Sequence, residues 1–273
     1  MTSQRPTFLG HLTASVAAHG PLCVGIDPHP ALLDAWGAGA DAAGLERFGR
    51  TAVEAAAGRV AVVKPQVALF EAHGSAGLGA LERVLADARA AGLLVIADAK
   101  RGDIGSTNTG YAAAWLTPGS PLEADALTVS PYLGVDALDG AFAAAEAAGK
   151  ALFVLAATSN PEARALQSAR LPDGRTVAAA VAEAVTARSV ATGAGHGLVI
   201  GATVDRADYG LATHPSTPVL VPGFGAQGAS LGALRTLFPA DAVVLASASR
   251  SILRAGPDAL AAAIDAAKAE LPA

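Results

Sequence analysis

Two carboxylates and one ammonium group lie close together in the sequence, about a third of the way along the chain. Asp98 and Lys100 are separated by a single alanine, and Asp103 follows after Gly102. The apolar residues 92–97 just before them are typical of a buried strand, so Asp98 and Lys100 should project from one face at its end. Charges removed from water destabilise a protein unless they are paired. The cluster therefore predicts a functional site.

A further lysine would make this candidate site a nearly neutral array of two positive and two negative groups, Lys64, Asp98, Lys100 and Asp103. In an alternating array each ion pairs with neighbours on both sides. An ammonium held between carboxylates can deliver a proton to a carbanion, or stabilise one as it forms. The alternative is a salt-bridge network that only closes the end of the fold. Gly102 and Gly105 favour the site, because glycine allows close backbone approach.

Two segments nearer the C-terminus carry groups suited to an anion. Residues 222–228 contain three glycines, which leave backbone N–H groups accessible, and Gln227 adds a side-chain amide. Ser249 and Arg250 follow the last apolar run, where a guanidinium can contact a phosphate with two N–H groups. Turns also need glycine, so the glycines alone do not decide. Together with Arg250 they favour a phosphate site.

Smaller polar residues follow two other apolar runs. Asp27 is suited to accept hydrogen bonds from sugar hydroxyls, or to cap a turn before Pro28. Ser159 lies in a Thr-Ser-Asn segment that can read the edge of a heterocycle, although the same residues are common in turns. The residue types leave both alternatives open.

Eight short apolar runs with helical patterns between them must position these residues. The runs span residues 22–26, 60–63, 93–97, 126–129, 152–156, 198–200, 219–221 and 243–246. Their alternation with helices predicts an α/β fold, an eight-stranded parallel β/α (TIM) barrel that forms one domain over residues 1–273. An open doubly wound sheet is the alternative, but it favours a Gly-x-Gly-x-x-Gly turn that does not follow the first run. The polar residues follow the runs, as expected for a site at the carboxyl ends of barrel strands.

Composition narrows the possible functions. With 52% hydrophobic residues the chain can bury a large core. No apolar run approaches the roughly 18 residues of a membrane span, and the N-terminus does not resemble a signal peptide, so we expect a cytoplasmic protein without a membrane partner. A formal net charge of −5 argues against binding nucleic acid. The single cysteine, Cys23, is expected to pack as a small hydrophobe rather than act as a catalytic thiol.

Histidine spacing gives no indication of a metal centre. No two histidines are spaced as metal ligands, and nothing in the sequence requires a metal or another cofactor. Four isolated histidines are expected on the surface or in packing: His29, His73, His196 and His214.

The full set of motifs resembles the orotidine 5′-phosphate decarboxylase family, in its longer, alanine-rich bacterial form. The segment Asp98-Ala99-Lys100-Arg101-Gly102-Asp103 matches the family's Asp-x-Lys-x-x-Asp signature. The other segments that carry the resemblance are Val24-Gly25-Ile26-Asp27-Pro28, Val63-Lys64-Pro65-Gln66, Thr158-Ser159-Asn160-Pro161 and residues 221–228. The likeness extends over residues 22–250, although related sugar-phosphate barrels share the short signature.

The resemblance implies an enzyme that removes carbon dioxide from orotidine 5′-monophosphate to give UMP, the last step of de novo pyrimidine synthesis, without metal or cofactor. It implies that Lys100 donates a proton to C6 of the pyrimidine. Asp98 would lie beside the leaving carboxylate, and Lys64 would belong to the charged array.

The resemblance also implies a homodimer whose sites lie at the interface. Asp103, Ile104 and Thr107 would then reach into the partner's site. The same resemblance implies substrate contacts from Asp27 at the ribose hydroxyls, from Ser159 at the pyrimidine edge, and from Gln227 and Arg250 at the phosphate. Pro222 and Ser249, on the same two loops as Gln227 and Arg250, are further expected substrate-binding residues.

Three other functions compete with this expectation. One is a metal-dependent sugar-phosphate barrel, such as a keto-acid sugar-phosphate decarboxylase or a hexulose-phosphate synthase. Another is a non-catalytic phosphate-binding barrel, which would need no proton donor. The third is a Schiff-base aldolase that uses Lys64 or Lys100, but a lysine held charged between carboxylates is a poor nucleophile.

Overall fold

Eight parallel strands close into a barrel in chain order, with the last strand beside the first. The computed structural model describes residues 7–211, 216–225, 228–239 and 242–272. The strands are β1 (Leu22–Ile26), β2 (Val62–Pro65), β3 (Leu94–Arg101), β4 (Ala126–Val129), β5 (Ala151–Ala157), β6 (Gly197–Ile200), β7 (Val219–Pro222) and β8 (Val244–Ala248). The expected β/α barrel is confirmed, and a single domain over residues 1–273 stays a prediction.

Helices connect the strands and cover the outside of the barrel. In the part of the chain that the structure describes they are α1 (Phe8–His19), α2 (Pro30–Ala35), α3 (Ala42–Ala56), α4 (Val67–Glu71), α5 (Gly74–Ala90), α6 (Gly105–Leu116), α7 (Asp139–Ala148), α8 (Arg164–Gln167), α9 (Val177–Thr192), α10 (Leu234–Leu237), α11 (Arg250–Leu253) and α12 (Leu260–Ala269). In α5, the buried residues Leu81, Leu85 and Ala88 recur every three or four positions, so that one face packs inward. None of these described helices combines the length and apolar character needed to cross a membrane.

Several strands extend further than the apolar runs predict, and the extensions of two of them, β2 and β3, carry charged residues. β2 continues to Pro65, so Lys64 lies inside the strand. β3 continues to Arg101 and therefore contains both Asp98 and Lys100. Hydrophobic periodicity does not reveal these extensions, because the apolar pattern stops where the charges begin. The charged side chains are thus held by strand backbone rather than by loops.

The amino-terminal end of the barrel is closed by α1. Phe8 and Leu12 of this helix are buried in one cluster with interior residues that include Cys23 and Phe153. The rings of Phe8 and Phe153 meet edge to face, with centroids 6.0 Å apart. Burial raises the pKa of the Cys23 thiol to about 12, so this cysteine packs as a small hydrophobe, as expected. The barrel interior opens toward the carboxyl ends of the strands.

Candidate active site

A cavity of about 390 Å³ lies at the carboxyl ends of the strands, and all eight strands or the loops after them contribute to its wall. Eight of the residues expected from the sequence line it: Asp27, Lys64, Asp98, Lys100, Ser159, Pro222, Ser249 and Arg250. Asp103, Ile104 and Thr107 do not line it, and Gln227 lies outside the described residues. The fold therefore gathers residues from distant parts of the sequence into one concave site.

One carboxylate lies between two ammonium groups at the floor of this cavity. Asp98 Oδ2 is 2.9 Å from Lys64 Nζ, and Asp98 Oδ1 is 2.5 Å from Lys100 Nζ. Gln66 Nε2 donates a further hydrogen bond to Asp98 Oδ2 at 3.3 Å. The side chains of Lys64 and Asp98 are only 6% and 10% exposed, whereas that of Lys100 is 45% exposed. Lys100 is therefore the ammonium of the pair that is open to a ligand.

The electrostatics of the cluster keep its buried members charged. Burial alone would lower the pKa of Lys64, but the Asp98 and Asp27 carboxylates outweigh it and hold that pKa above its ordinary value. Burial alone would raise the pKa of Asp98, but Lys64 and Lys100 outweigh it and hold that pKa well below its usual range. Among the described residues, no group of three or more His, Cys, Asp or Glu side chains is arranged to hold a metal ion.

Lys100 has an unusual backbone conformation. Its φ of 48° makes it the one non-glycine residue in the left-handed region among those the structure describes. Such a conformation costs on the order of 1–3 kcal/mol and persists only where the surroundings impose it. The register between β3 and β4 shifts at this point, and the Lys100 N–H donates to Thr128 Oγ1 at 3.0 Å. A bulge thus aims the Lys100 side chain into the cavity.

Two buried polar atoms after the neighbouring strands β1 and β8 have no hydrogen-bond partner among the described residues. They are Asp27 Oδ1, after β1, and Ser249 Oγ, after β8. Gly25 makes room for this arrangement, because a Cβ at that position would lie 2.6 Å from the Cβ of Ser249. A buried polar group without a partner costs roughly 1–3 kcal/mol. Because both residues line the cavity, we expect a ligand that reaches them to supply the missing hydrogen bonds.

The loop after β5 is fixed before it reaches the cavity. Gln167 Oε1 accepts a hydrogen bond from the Thr158 N–H at 2.9 Å, and Gln167 Nε2 donates to Thr158 Oγ1 at 3.0 Å. Gln167 closes the short helix α8, so the helix clamps the start of the loop. Ser159, the next residue, lines the cavity. The backbone that leads into Ser159 is thereby fixed at the edge of the cavity.

The loop after β7 lies beside the start of α11. Pro222, Gly223 and Phe224 line the cavity together with Arg250. The Gly225 N–H donates to the Ala229 carbonyl at 2.8 Å, which closes the loop on itself. The exposed guanidinium of Arg250 and the backbone of the loop thus face one side of the cavity, as expected for an anion site.

The third predicted carboxylate is held elsewhere. Asp103 Oδ1 accepts a hydrogen bond from the Ile104 N–H at 2.8 Å, and Asn108 Oδ1 accepts one from the Asp103 N–H at 2.9 Å. Asp98 forms ion pairs with Lys64 and with Lys100. Asp103 forms no ion pair with any described residue. Within one chain, the array of four charges expected from the sequence is therefore a cluster of three. Ile104 is 61% exposed, and Thr107 is exposed as well.

Several cavity residues go beyond the expectations from sequence, among them His29, Gln66 and Thr128. His29 follows Asp27 by two positions, and Gln66 follows Lys64 by two. This spacing places alternate side chains on one face of extended backbone, so a signal for both residues was present. His29, expected on the surface or in packing, lines the cavity instead. Thr128 is a polar residue inside a short apolar strand, which is a weaker signal.

The fold and the site define the class of this protein. A closed β/α barrel with a buried charged cluster and a glycine-containing loop at the carboxyl ends of its strands is the architecture typical of barrel enzymes. Residues 20–265 match the orotidine 5′-phosphate decarboxylase / HUMPS family, and the chain belongs to this family. It is an enzyme of the carboxy-lyase class.

Relatives are similar over nearly the whole chain. An orotidine 5′-phosphate decarboxylase from Salinispora tropica is 52% identical over 261 residues, which cover 93% of this chain and 92% of that protein. One from Streptomyces coelicolor is 49% identical over 258 residues, with coverage of 93% and 92%. The crystal structure of a Streptomyces avermitilis protein assigned as an orotidine 5′-phosphate decarboxylase has a TM-score of 0.92 and 48% identity, covering 98% of this chain and 95% of that one. The structure of Leishmania donovani OMP decarboxylase has a TM-score of 0.76 and 33% identity, covering 96% and 99%. The resemblance carried by the motifs is confirmed.

Proposed function

We propose that the cavity converts orotidine 5′-monophosphate to UMP and carbon dioxide, with Lys100 as the proton donor and without a cofactor. The observation that carries this proposal is the buried Asp98 carboxylate held between the Lys64 and Lys100 ammonium groups. Relatives called orotidine 5′-phosphate decarboxylase, 46% to 52% identical to this chain, support the choice of substrate. The product would complete de novo pyrimidine synthesis.

The chemistry requires a positive charge at one carbon atom. The bond between C6 and the carboxylate carbon breaks, carbon dioxide leaves, and the electron pair stays on C6 in the plane of the ring. No adjacent π system accepts this pair, so a nearby ammonium must stabilise it. The partly exposed Lys100 then passes one proton from Nζ to C6 as a general acid, and solvent returns a proton to Nζ.

Asp98 has two roles in this scheme. Its carboxylate keeps the Lys100 ammonium directed into the cavity, at 2.5 Å. It would also lie beside the substrate carboxylate, so that repulsion between the two is relieved as carbon dioxide leaves.

One charge contact at ~4 Å contributes about 4 kcal/mol at an effective dielectric near 20. Since enzymes reach accelerations near 10¹⁷-fold, or ~23 kcal/mol, the local charges alone are insufficient.

Binding energy from the rest of the nucleotide would supply the remainder. The substrate phosphate would bind between Arg250 and the loop that starts at Pro222, and Gln227 remains a predicted contact there. The unpaired oxygens of Asp27 and Ser249 would accept or share hydrogen bonds with the ribose hydroxyls. Ser159 would contact the pyrimidine edge from the loop clamped by Gln167.

We also propose a homodimer in which Asp103, Ile104 and Thr107 reach the partner's cavity. Support comes from the exposed large apolar side chains Ile104, Tyr132 and Leu133, which follow β3 and β4 on the same side of the barrel. Exposed apolar residues grouped in this way are typical of an interface. A cytoplasmic location stays a prediction.

The test is to mix the purified protein with orotidine 5′-monophosphate and follow the ultraviolet absorbance, with UMP identified as the product. A second arm contains a strong chelator of divalent metals. We expect conversion at the same rate in both arms. Absence of UMP overturns the proposed reaction. Loss of activity with the chelator, restored by a divalent metal, favours instead a metal-dependent sugar-phosphate barrel enzyme.

A further inference from the structure

The bulge in β3 leaves one residue of β4 opposite three residues of the charged segment. Ala97 pairs with Leu127 and Arg101 pairs with Val129, so Thr128 alone stands opposite residues 98–100. Backbone groups inside a bulge lose their regular ladder partners. Residues 98–100 therefore need hydrogen-bond partners of another kind, since Asp98 is buried and Ala99 is partly buried next to the cavity, whereas the Lys100 side chain is exposed.

The Thr128 hydroxyl makes two hydrogen bonds to this segment. It is 1% exposed, accepts a hydrogen bond from the Lys100 N–H at 3.0 Å, and donates one to Asp98 Oδ1 at 3.0 Å. Asp98 Oδ1 is the same oxygen that lies 2.5 Å from Lys100 Nζ. One hydroxyl group thus contacts the backbone of the lysine and the carboxylate that directs its ammonium.

We propose that Thr128 is a positioning residue for decarboxylation: its hydroxyl holds the left-handed backbone of Lys100 and the orientation of Asp98 at the same time. The inference rests on the proposed role of Lys100 as proton donor. A valine has nearly the same shape as threonine but offers neither hydrogen bond. In Thr128→Val, Lys100 keeps its charge but loses its fixed direction, whereas Thr128→Ser retains both hydrogen bonds.

The experiment compares Thr128→Val and Thr128→Ser with the unaltered enzyme. We expect Thr128→Val to lower kcat roughly 10- to 100-fold, the loss expected when a hydrogen bond to a charged group is removed, with little change in KM for orotidine 5′-monophosphate. Thr128→Ser should recover most of kcat. Thr128→Ala serves as a second variant without the hydroxyl if the valine does not fold. Thr217→Val is the matched control, because Thr217 is also buried and its hydroxyl donates to the His196 carbonyl, away from the cavity.

A binding measurement separates positioning from a structural role. UMP and a UMP analogue with an anionic oxygen at C6 are titrated into each variant. Thr128→Val should weaken binding of the anionic analogue about tenfold or more while leaving UMP unaffected, since only the analogue engages a correctly directed ammonium.

Three results overturn the proposal: an unchanged kcat in Thr128→Val, equal weakening of both ligands, or the same kinetic loss in Thr217→Val. Lys100→Ala distinguishes this failure from that of the proposed function. If Lys100→Ala is inactive while Thr128→Val is fully active, only the positioning role is wrong. If Lys100→Ala is fully active, the proton-donor role itself is wrong.

Discussion

Single residues of the cavity are arranged for a ligand at the expense of stability. Asp27 Oδ1 and Ser249 Oγ are buried without a hydrogen-bond partner among the described residues. Folding removes each of these atoms from water without forming a new hydrogen bond, which lowers the free energy of unfolding by roughly 1–3 kcal/mol per group. A substrate hydroxyl or phosphate would restore the lost hydrogen bond, so that binding energy is concentrated at these positions.

Ser249→Ala tests this property. The substitution removes an unpaired hydroxyl, so the free energy of unfolding should stay the same or increase. KM for orotidine 5′-monophosphate should rise roughly 3- to 10-fold, as expected for one lost hydrogen bond. Denaturant unfolding and steady-state kinetics measure the two effects.

Ser120→Ala is the matched control for this prediction. Ser120 Oγ donates to the Ala114 carbonyl at 2.5 Å, outside the cavity. Its removal should lower the free energy of unfolding by about 0.5–1.5 kcal/mol and leave KM unchanged. If Ser249→Ala loses as much stability as the control and keeps its KM, Ser249 has an ordinary structural role.

Several elements of the barrel wall are joined by one buried imidazole. His196, next to β6, is fully buried. Its Nδ1 accepts a hydrogen bond from the Leu152 N–H of β5 at 3.2 Å, and its Nε2 lies 3.0 Å from Glu146 Oε1 of α7. Arg188 of α9 pairs with the same carboxylate oxygen at 2.7 Å. Only a neutral imidazole with its proton on Nε2 makes both histidine contacts.

This arrangement makes stability depend on pH. Burial lowers the pKa of His196, with Arg188 acting in the same direction and Glu146 opposing it. The unfolded chain therefore takes up a proton more readily than the folded one. The contribution of neutral His196 to the free energy of unfolding is present above the ordinary histidine pKa of about 6.5 and is lost as the pH falls below that value.

We expect the free energy of unfolding of the unaltered protein to decrease between about pH 7.5 and about pH 5.5. His196→Gln should be less stable at the higher pH and should show a smaller decrease, because the titrating group is absent. Denaturant titrations at several pH values measure both. Equal pH dependence in the two proteins would rule out His196 as the titrating group.

The same elements show what a sequence can and cannot predict. The barrel was predictable because buried parallel strands are continuous apolar runs and the polar residues follow them in order. The extension of β3 was not, since Asp98 and Lys100 interrupt the apolar pattern. The bulge arises from pairing with Thr128, about 30 residues further along the chain. No local signal marks a lysine with a positive φ.

For the molecule as a whole, the missing carboxylate is the main feature to explain. Asp103 pairs with its own loop in one chain, although its position in the signature assigns it to the site. The proposed symmetric dimer would account for this, because each subunit would then complete the cavity of the other through the same surface. The exposed Ile104 and Tyr132 lie where such a contact would form.

Mixing two inactive variants tests this division. Lys100→Ala and Asp103→Asn homodimers should each have little activity. After mixing and subunit exchange, half of the dimers contain one chain of each kind, and one of their two sites has both native residues. About a quarter of all sites should therefore recover activity.

Size-exclusion chromatography and light scattering should show dimers throughout the mixing experiment. If Asp103 acts within its own chain, every site in the mixed dimers carries one defect, and mixing restores no activity. That result would contradict a site shared between subunits.

The central claim is that Lys100 delivers the proton to C6, and a single-turnover assay of Lys100→Ala tests it most directly. Excess enzyme is mixed with orotidine 5′-monophosphate, and the loss of substrate absorbance gives the rate of the chemical step. Removal of a general acid predicts a decrease of roughly 10²- to 10⁴-fold or more, with the affinity for UMP retained. A Lys100→Ala protein that binds UMP normally and decarboxylates the substrate at the unaltered rate would contradict the account.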